Sequence, residues 1–274
     1  MLNNDYKVAV IMSVYRLDEL KHIELAINSI LHQTQPCSIF IYQDGPVSPD
    51  VSGLLLSIAQ DNKNVTLLCS EKNNGLAHAL NAMIDCVLSK GYDYIARMDS
   101  DDISHLNRIE RQVNYLEKNP DIDILGTFCR EFGATYALKE KHLPTTHDEL
   151  VNFSVTRCPF IHPTVMFKST VFSKGVRYPT NTCLTEDMAL WFLLVEQGFK
   201  FSNLDEVLLD FRLNENSIKR RKGLSKAISE FKIRARYMFI SKKFSLKNLL
   251  FISLKFFLHL LPLSLLKLMY KYAR

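Results

Sequence analysis

The chain has 274 residues, 47% of them hydrophobic and 23% charged, with nine Gly and nine Pro. That is globular composition, long enough for a full core, and it excludes a disordered, collagen-like, coiled-coil or low-complexity protein. The net charge of +5 hides an asymmetry: residues 217–274 hold 15 Lys and Arg and a single acid, Glu230, whereas the residues before them hold 19 bases and 28 acids.

Lys7 to Val14 is a β-branched apolar run and reads as a buried strand, too short for the core of a secretory signal. From Asp18, a predicted N-cap, Leu20, Ile23, Ile27, Ile30 and Leu31 follow a helical period. Ser38 to Tyr42 is a second strand, closed by the turn signal Gln43-Asp44-Gly45-Pro46. Val51 to Ile58 predicts a helix, Val65 to Cys69 a strand, and Leu76 to Val87 a helix after Asn73-Asn74-Gly75. Tyr94 to Met98 is a fourth strand, followed by Asp99-Ser100-Asp101-Asp102 and a helix over Leu106 to Leu116. This alternation predicts an α/β fold: a doubly wound, mostly parallel sheet with helices on both faces.

The second half is less regular. Ile122 to Thr127, Phe160 to Phe167 and Leu204 to Arg212 read as strands, and Asp187 to Gln197 as a helix. No Gly/Ser linker divides the chain before residue 216, so residues 1–216 read as one domain and 217–274 as a basic, helical appendage. The six cysteines form no C-x-x-C pair and read as reduced thiols, which points to the cytosol.

The basic tail seeks an anionic surface. Lys255, Pro262 and Lys267 interrupt Phe244 to Tyr272, so no run approaches the ~20 apolar residues a spanning helix needs. Leu246, Leu249, Leu250, Phe257 and Leu260 share one helical face, with Lys247, Lys255 and His259 toward another. The pattern predicts helices lying in a membrane surface, basic residues toward the head groups; a helix packed on the protein's own core is the alternative. A Leu/Phe face argues against nucleic acid, whose bases need polar and stacking contacts.

Ligands in open α/β sheets bind beyond the carboxyl ends of the strands. The residues there are Tyr15-Arg16, Asp44, Asn74-Gly75 and the acidic cluster. Three carboxylates in four residues repel one another unless a cation joins them, and Mg²⁺ or Mn²⁺ suits oxygen ligands. The same spacing also serves a solvated helix cap. Neither G-x-G-x-x-G nor G-x-x-x-x-G-K-[ST] occurs, against dinucleotide dehydrogenases and P-loop enzymes; a sugar-phosphate nucleotidyltransferase needs a Gly-rich loop after the first strand, where this chain has Tyr15-Arg16-Leu17.

Seven segments, in order, resemble the family 2 glycosyltransferases of GT-A fold. They are Val8 to Arg16, Gln43 to Pro46, Asn73 to Asn81, Ala96 to Asp102, His162 to Lys168, Thr185-Glu186-Asp187 and Leu208 to Ser217. The resemblance implies an inverting transferase that uses a UDP-sugar and Mn²⁺ or Mg²⁺. Tyr15 and Asp44 would hold the base and ribose, Asn74 and Gly75 would add to the donor contacts, and Arg212 with neighbouring basic residues would lie over the donor. Asp99 and Asp101 would contact ribose and metal, with Asp102 extending the metal set. Asp187 would be the general base, with Glu186 beside it. Ser13, Arg16 and Asn214 depart from the residues usual at those places. The Q-x-x-R-W motif of processive members is missing, which implies one sugar per acceptor. With the amphipathic tail, the resemblance implies a peripheral enzyme on the cytoplasmic face of the inner membrane, acting on a lipid-linked glycan in O-antigen or capsule synthesis. A soluble or protein acceptor, and a silent nucleotide-sugar-binding module, are the alternatives. His162 reads as either an acceptor-cleft residue or a structural one, and Trp191 as either core or acceptor platform.

Overall fold

The computed structural model describes residues 6–213, 223–262 and 265. Asn214, the basic residues 219–222 and most of the stretch beyond Pro262 lie outside the described residues.

The first half follows the predicted alternation: β1 (Val8–Val14), α1 (Leu20–Leu31), β2 (Ser38–Asp44), α2 (Pro49–Asp61), β3 (Val65–Ser70), α3 (Leu76–Ser89) and β4 (Tyr94–Asp99). A two-residue β5 (Ile103–Ser104) and α4 (Arg108–Lys118) follow, then β6 (Ile124–Phe132) and α5 (His147–Ser154). After them come β7 (Met166–Lys168), α6 (Ser169–Ser173), α7 (Glu186–Glu196), β8 (Phe201–Arg212), α8 (Leu224–Ile240) and α9 (Leu246–Leu258). The eight strands form one sheet in the order β3-β2-β1-β4-β7-β6-β8-β5. β3, β2, β1 and β4 are parallel neighbours, so their carboxyl ends share one edge. β7 is antiparallel to both β4 and β6, while β6 and β8 run parallel.

Strand alternation sorts the core into two layers. Val8, Val10, Met12, Tyr94, Ala96 and Met98 pack with α1, α2 and α4. Ala9, Ile11 and Ile95 pack with α3, α6 and α7. By the same alternation Arg97 and Asp99 lie on the α3 and α7 face.

Two sequence expectations are corrected. Phe160 to Phe167 is not a continuous strand: Pro163 has no N–H for a ladder, and a short 3₁₀ turn over His162–Thr164 precedes β7. Asp18 is not the N-cap of α1; Glu19 is, and the Asp18 carboxylate is used elsewhere. All six cysteines are free thiols.

The C-terminal helices pack on the α/β body. Val155, Met188, Phe192, Tyr237, Met238 and Ile252 form a shared apolar cluster, in which Phe192 of α7 stacks on Tyr237 of α8 at 3.8 Å. Arg234 Nη1 donates to the carbonyls of Ser154 and Val155. The expected facing of α9 is corrected in part. Lys255 and His259 point inward, onto Glu230 of α8, at 3.3 Å and 3.0 Å. Leu249 packs on the shared cluster, whereas Leu246, Leu250, Leu254 and Phe257 face outward. Among the described residues, no helix is long and apolar enough to cross a membrane.

Candidate active site

The carboxyl edge of β1 to β4 is a tightly bonded floor. Asp44, buried at the end of β2, accepts from the backbone N–H groups of Asn74 at 2.8 Å and Gly75 at 2.9 Å. It ties the second strand to the start of α3. Gly45 adopts φ +85°, and a Cβ there would meet the Asn73 nitrogen at 2.6 Å, so only glycine lets the two loops touch. Asn74 is exposed, and its side-chain amide donates to Ser70 Oγ at 3.0 Å. Tyr15 is half-buried after β1; its N–H donates to Asp18 Oδ2, which also accepts from Ser100 Oγ at 2.8 Å. Asp18 therefore pins the loop after β1 against the acidic loop after β4.

In that acidic loop, oxygens of Asp99, Asp101 and Asp102 lie within 4.8 Å of one another. Burial, then Asp99 and Asp18, raise Asp101 to about 7, against the opposing pull of Arg97 and Arg212. Asp102 is fully buried and pushed well above the carboxylate range by burial and by Asp99 and Asp101. Its Oδ1 accepts from the Arg212 N–H at 2.7 Å, while its Oδ2 has no hydrogen-bond partner. An orphaned buried carboxylate oxygen among crowded acids fits a hard divalent cation, which supplies the missing positive charge. Arg212 closes this loop from β8: its Nε donates to the Asp101 carbonyl at 2.7 Å and its guanidinium stacks on Phe132 at 4.4 Å.

Two basic residues here escaped the sequence reading. Arg97 is 2% exposed inside β4, and its Nη2 donates to Asp99 Oδ1. A cation at an inward strand position two residues before the acids was the available signal. Lys226 of α8 lies close enough to act on Glu186 and Asp187; nothing in the sequence joins residues so far apart.

The Thr185-Glu186-Asp187 motif starts α7. Leu184, at φ +52°, turns the chain into it, a left-handed conformation costly for a non-glycine residue. α8 holds the turn: Ser229 Oγ bonds Thr185 Oγ1 at 2.8 Å and accepts from the Cys183 N–H at 3.3 Å. Asp187 is half-buried, and its Oδ1 accepts from the Met188 N–H at 2.7 Å. Burial raises the Asp187 carboxyl, opposed by that N–H and by Lys226 and Arg97. Burial and Asp187 raise Glu186 in the same way. The Arg97 charge thus acts on both carboxylate groups, opposing the rise in each.

His162 bonds the Tyr178 hydroxyl at 2.9 Å; burial first, then Arg97, lowers it well below the usual imidazole value. Trp191 is 0% exposed and packs among Phe160, Phe167 and Phe201, which makes it core and not an acceptor platform.

Residues 9–175 match the family model described as Glycosyl transferase family 2. The chain is 33% identical over 269 residues to an uncharacterized glycosyltransferase of Haemophilus influenzae, covering 97% of this chain and 98% of the relative. It is 32% identical over 271 residues to the UDP-Gal:alpha-D-GlcNAc-diphosphoundecaprenol beta-1,3-galactosyltransferase of Escherichia coli, covering 96% and 95%. Among solved structures, S. aureus TarS 1-349 in complex with UDP-GlcNAc superposes with TM-score 0.61 at 16% identity, over 88% of this chain and 74% of that one. The mannosyltransferase PcManGT of Pyrobaculum calidifontis, in complex with GDP-Man and Mn²⁺, gives TM-score 0.60 at 14% identity, over 98% and 86%. These likenesses establish the GT-A type of fold.

Proposed function

We propose, since the chain belongs to glycosyl transferase family 2 and is a glycosyltransferase, that it moves one hexose or N-acetylhexosamine from a UDP-sugar to a polyprenyl diphosphate-linked sugar, with inversion, in polysaccharide or O-antigen synthesis. The observation that carries this reading is the Asp99–Asp101–Asp102 cluster, with its orphaned buried Asp102 Oδ2, in a chain whose half-buried Asp187 opens α7 under the charge of the same Arg97. The name of the E. coli relative, with its UDP-Gal donor and diphosphoundecaprenol acceptor, supports the substrate classes.

An inverting transfer is one displacement. The acceptor hydroxyl gives its proton to Asp187, its oxygen bonds the anomeric carbon, and the bond to the nucleoside diphosphate breaks on the opposite face. A raised carboxyl suits Asp187 to that work, because a base stronger than an ordinary carboxylate removes an alcohol proton more readily. Glu186 and Lys226 set its charge environment. Asp99, Asp101 and Asp102 would hold Mn²⁺ or Mg²⁺, which when bound neutralises charge on the leaving diphosphate. Tyr15, Asp44, Asn74 and Gly75 line the edge where the nucleoside would sit, and Arg212 closes the loop beside it.

Residues 1–216 carry the transfer chemistry in this reading, and 217–274 bring the enzyme to the cytoplasmic surface of an anionic membrane. Leu246, Leu250, Leu254 and Phe257 of α9 are 57–80% exposed, and Phe239, Ile240 and Phe244 extend the apolar strip. Lys242, Lys243 and Lys247 are exposed beside it. An apolar strip rimmed by lysines fits the head-group region of an anionic bilayer.

The test is UDP release from a UDP-sugar panel with Mn²⁺ and a GlcNAc-diphosphate-polyprenol acceptor. Release that depends on acceptor supports transfer. Thermal stabilisation by UDP-sugars without release, across the panel, would instead mark a silent binding module. Leu250→Glu with Leu254→Glu should abolish pelleting with anionic vesicles and leave turnover on a short-chain acceptor intact. Pelleting equal to the parent would remove the membrane assignment.

A further inference from the structure

Arg97 is a deeply buried cation of the site, and its bonding is unfinished. Of its three guanidinium nitrogens, Nη2 donates to Asp99 Oδ1, while Nε and Nη1 are buried with no hydrogen-bond partner. A buried donor left unpaired carries its full desolvation cost, and a charged one carries more. The neighbours do not relieve it: the Tyr178 hydroxyl bonds His162 and the Asp187 Oδ1 accepts from the Met188 N–H, and neither bonds Arg97. Strand alternation turns Arg97 toward the face that carries α7, between the acidic loop and the start of that helix.

We propose that Arg97 contacts the donor, its free guanidinium N–H groups binding the β-phosphate of the nucleoside diphosphate on the side facing Glu186 and Asp187. This rests on the reading that a UDP-sugar is the donor. An anionic oxygen answers both deficits at Arg97, the missing acceptors and the buried charge, whereas a sugar hydroxyl answers only the first. The position also suits the reaction. Negative charge grows on the β-phosphate as the sugar leaves, and a fixed cation in a dry site stabilises that charge without reorganising. Asp99 becomes the residue that aims Arg97, which explains an acid paired to an arginine inside a metal-binding cluster.

Equilibrium binding to the full chain tests this without turnover. With EDTA present, the unmodified protein should bind UDP more tightly than UMP, since Arg97 reads the second phosphate when no metal is there. Arg97→Met should weaken UDP and UDP-sugar together by roughly 10- to 100-fold and leave UMP unchanged, and Arg97→Lys should recover part of the loss. Circular dichroism melting checks that the variants fold; should Arg97→Met fail, Arg97→Lys and the EDTA comparison still decide. Equal UDP and UMP affinity in EDTA overturns the assignment. So does UDP affinity unchanged in folded Arg97→Met, and so does a loss confined to UDP-sugar, which would put a sugar hydroxyl at Arg97. A protein that binds UDP through Arg97 yet never releases it from UDP-sugar and acceptor would sink the transferase reading alone.

Discussion

Two of the charge clusters among the described residues are built to opposite plans. Around Glu230, one carboxylate takes Arg234 Nε at 2.8 Å, Lys255 at 3.3 Å and His259 at 3.0 Å, and Arg234 spends its Nη1 on the carbonyls of Ser154 and Val155. None of its atoms is among the buried polar atoms that lack partners. Around Asp99, three carboxylates crowd together beside the buried Arg97, and Asp102 Oδ2, Arg97 Nε and Arg97 Nη1 have no partner. Both clusters are desolvated, so the difference is in completeness. A finished network joins elements, here α8 and α9 to the end of α5; an unfinished one stores a cost that a ligand removes.

That contrast makes substitutions separable by what they damage. Asp187→Asn should lower kcat by about 10²–10⁴-fold, the usual worth of general-base help, while the melting temperature stays near the parent's. Acceptor-dependent UDP release and a thermal melt measure the two sides; normal turnover would remove Asp187 from the chemistry. Glu230→Gln should do the reverse. It leaves the buried Arg234 and the half-buried Lys255 without their anion and should cost about 3–5 kcal/mol by urea denaturation. The pH sign follows from the same bonds. Despite the cost of burial, the His259 hydrogen bond and the charges of Arg234 and Lys255 hold Glu230 far below the ordinary Glu value. Its contribution is therefore complete above a pH of about 4.3, and is lost as pH falls toward the folded-state value. Glu230→Gln should flatten that acid limb.

How much of this was legible in the sequence depended on range. β1 to β4 and their helices could be read because a period of two and a period of 3.6 are local signals, and the acids at strand ends came with them. β7 was read too long, as Phe160 to Phe167, because Pro163 splits an apolar run that otherwise looks like one strand. β5, only two residues long, exists because β8 pairs with it across more than 100 residues of chain. The facing of α9 was misread for a related reason. Lysine and histidine look like solvent residues until a buried Glu230 is placed opposite them, and that acid sits on another helix. Arg97 was in plain view, but a lone arginine in a strand has no meaning until alternation and Asp99 assign it a side.

The open cluster should also respond to metal and protons in a way the closed one does not. Asp101 lies at about 7, raised chiefly by burial, so below that pH a proton competes with a divalent cation for it. Mn²⁺ affinity should rise through pH 7, by up to about tenfold per unit where one proton is displaced, and level off above. Without metal the same group works against folding as pH rises. A carboxyl raised in the folded state is penalised above its unfolded value of about 3.9, and the penalty is complete above about 7. Mn²⁺ should therefore raise the melting temperature more at pH 8 than at pH 6, and Asp101→Asn should erase that difference.

The smallest effect sharpens the comparison most, because it tests whether α8 belongs to the chemistry or only to the packing. Lys226 and Ser229 sit on the same helix as Glu230, yet they serve the start of α7: Ser229 holds Thr185, and the Lys226 charge lowers the carboxyls of Glu186 and Asp187 against the pull of burial. Lys226→Met removes a cation from a half-exposed helix position, so stability should change little, within about 0.5 kcal/mol. Asp187, the proposed base, should titrate higher once relieved of a neighbouring positive charge. As the base acts deprotonated, the acid limb of kcat/KM must move to higher pH, with the plateau rate above it nearly kept. A purely structural Lys226 would lower the rate at all pH values alike and leave the limb where it was. The direction of that one shift decides whether the C-terminal helix tunes the reaction from which its sequence stands farthest.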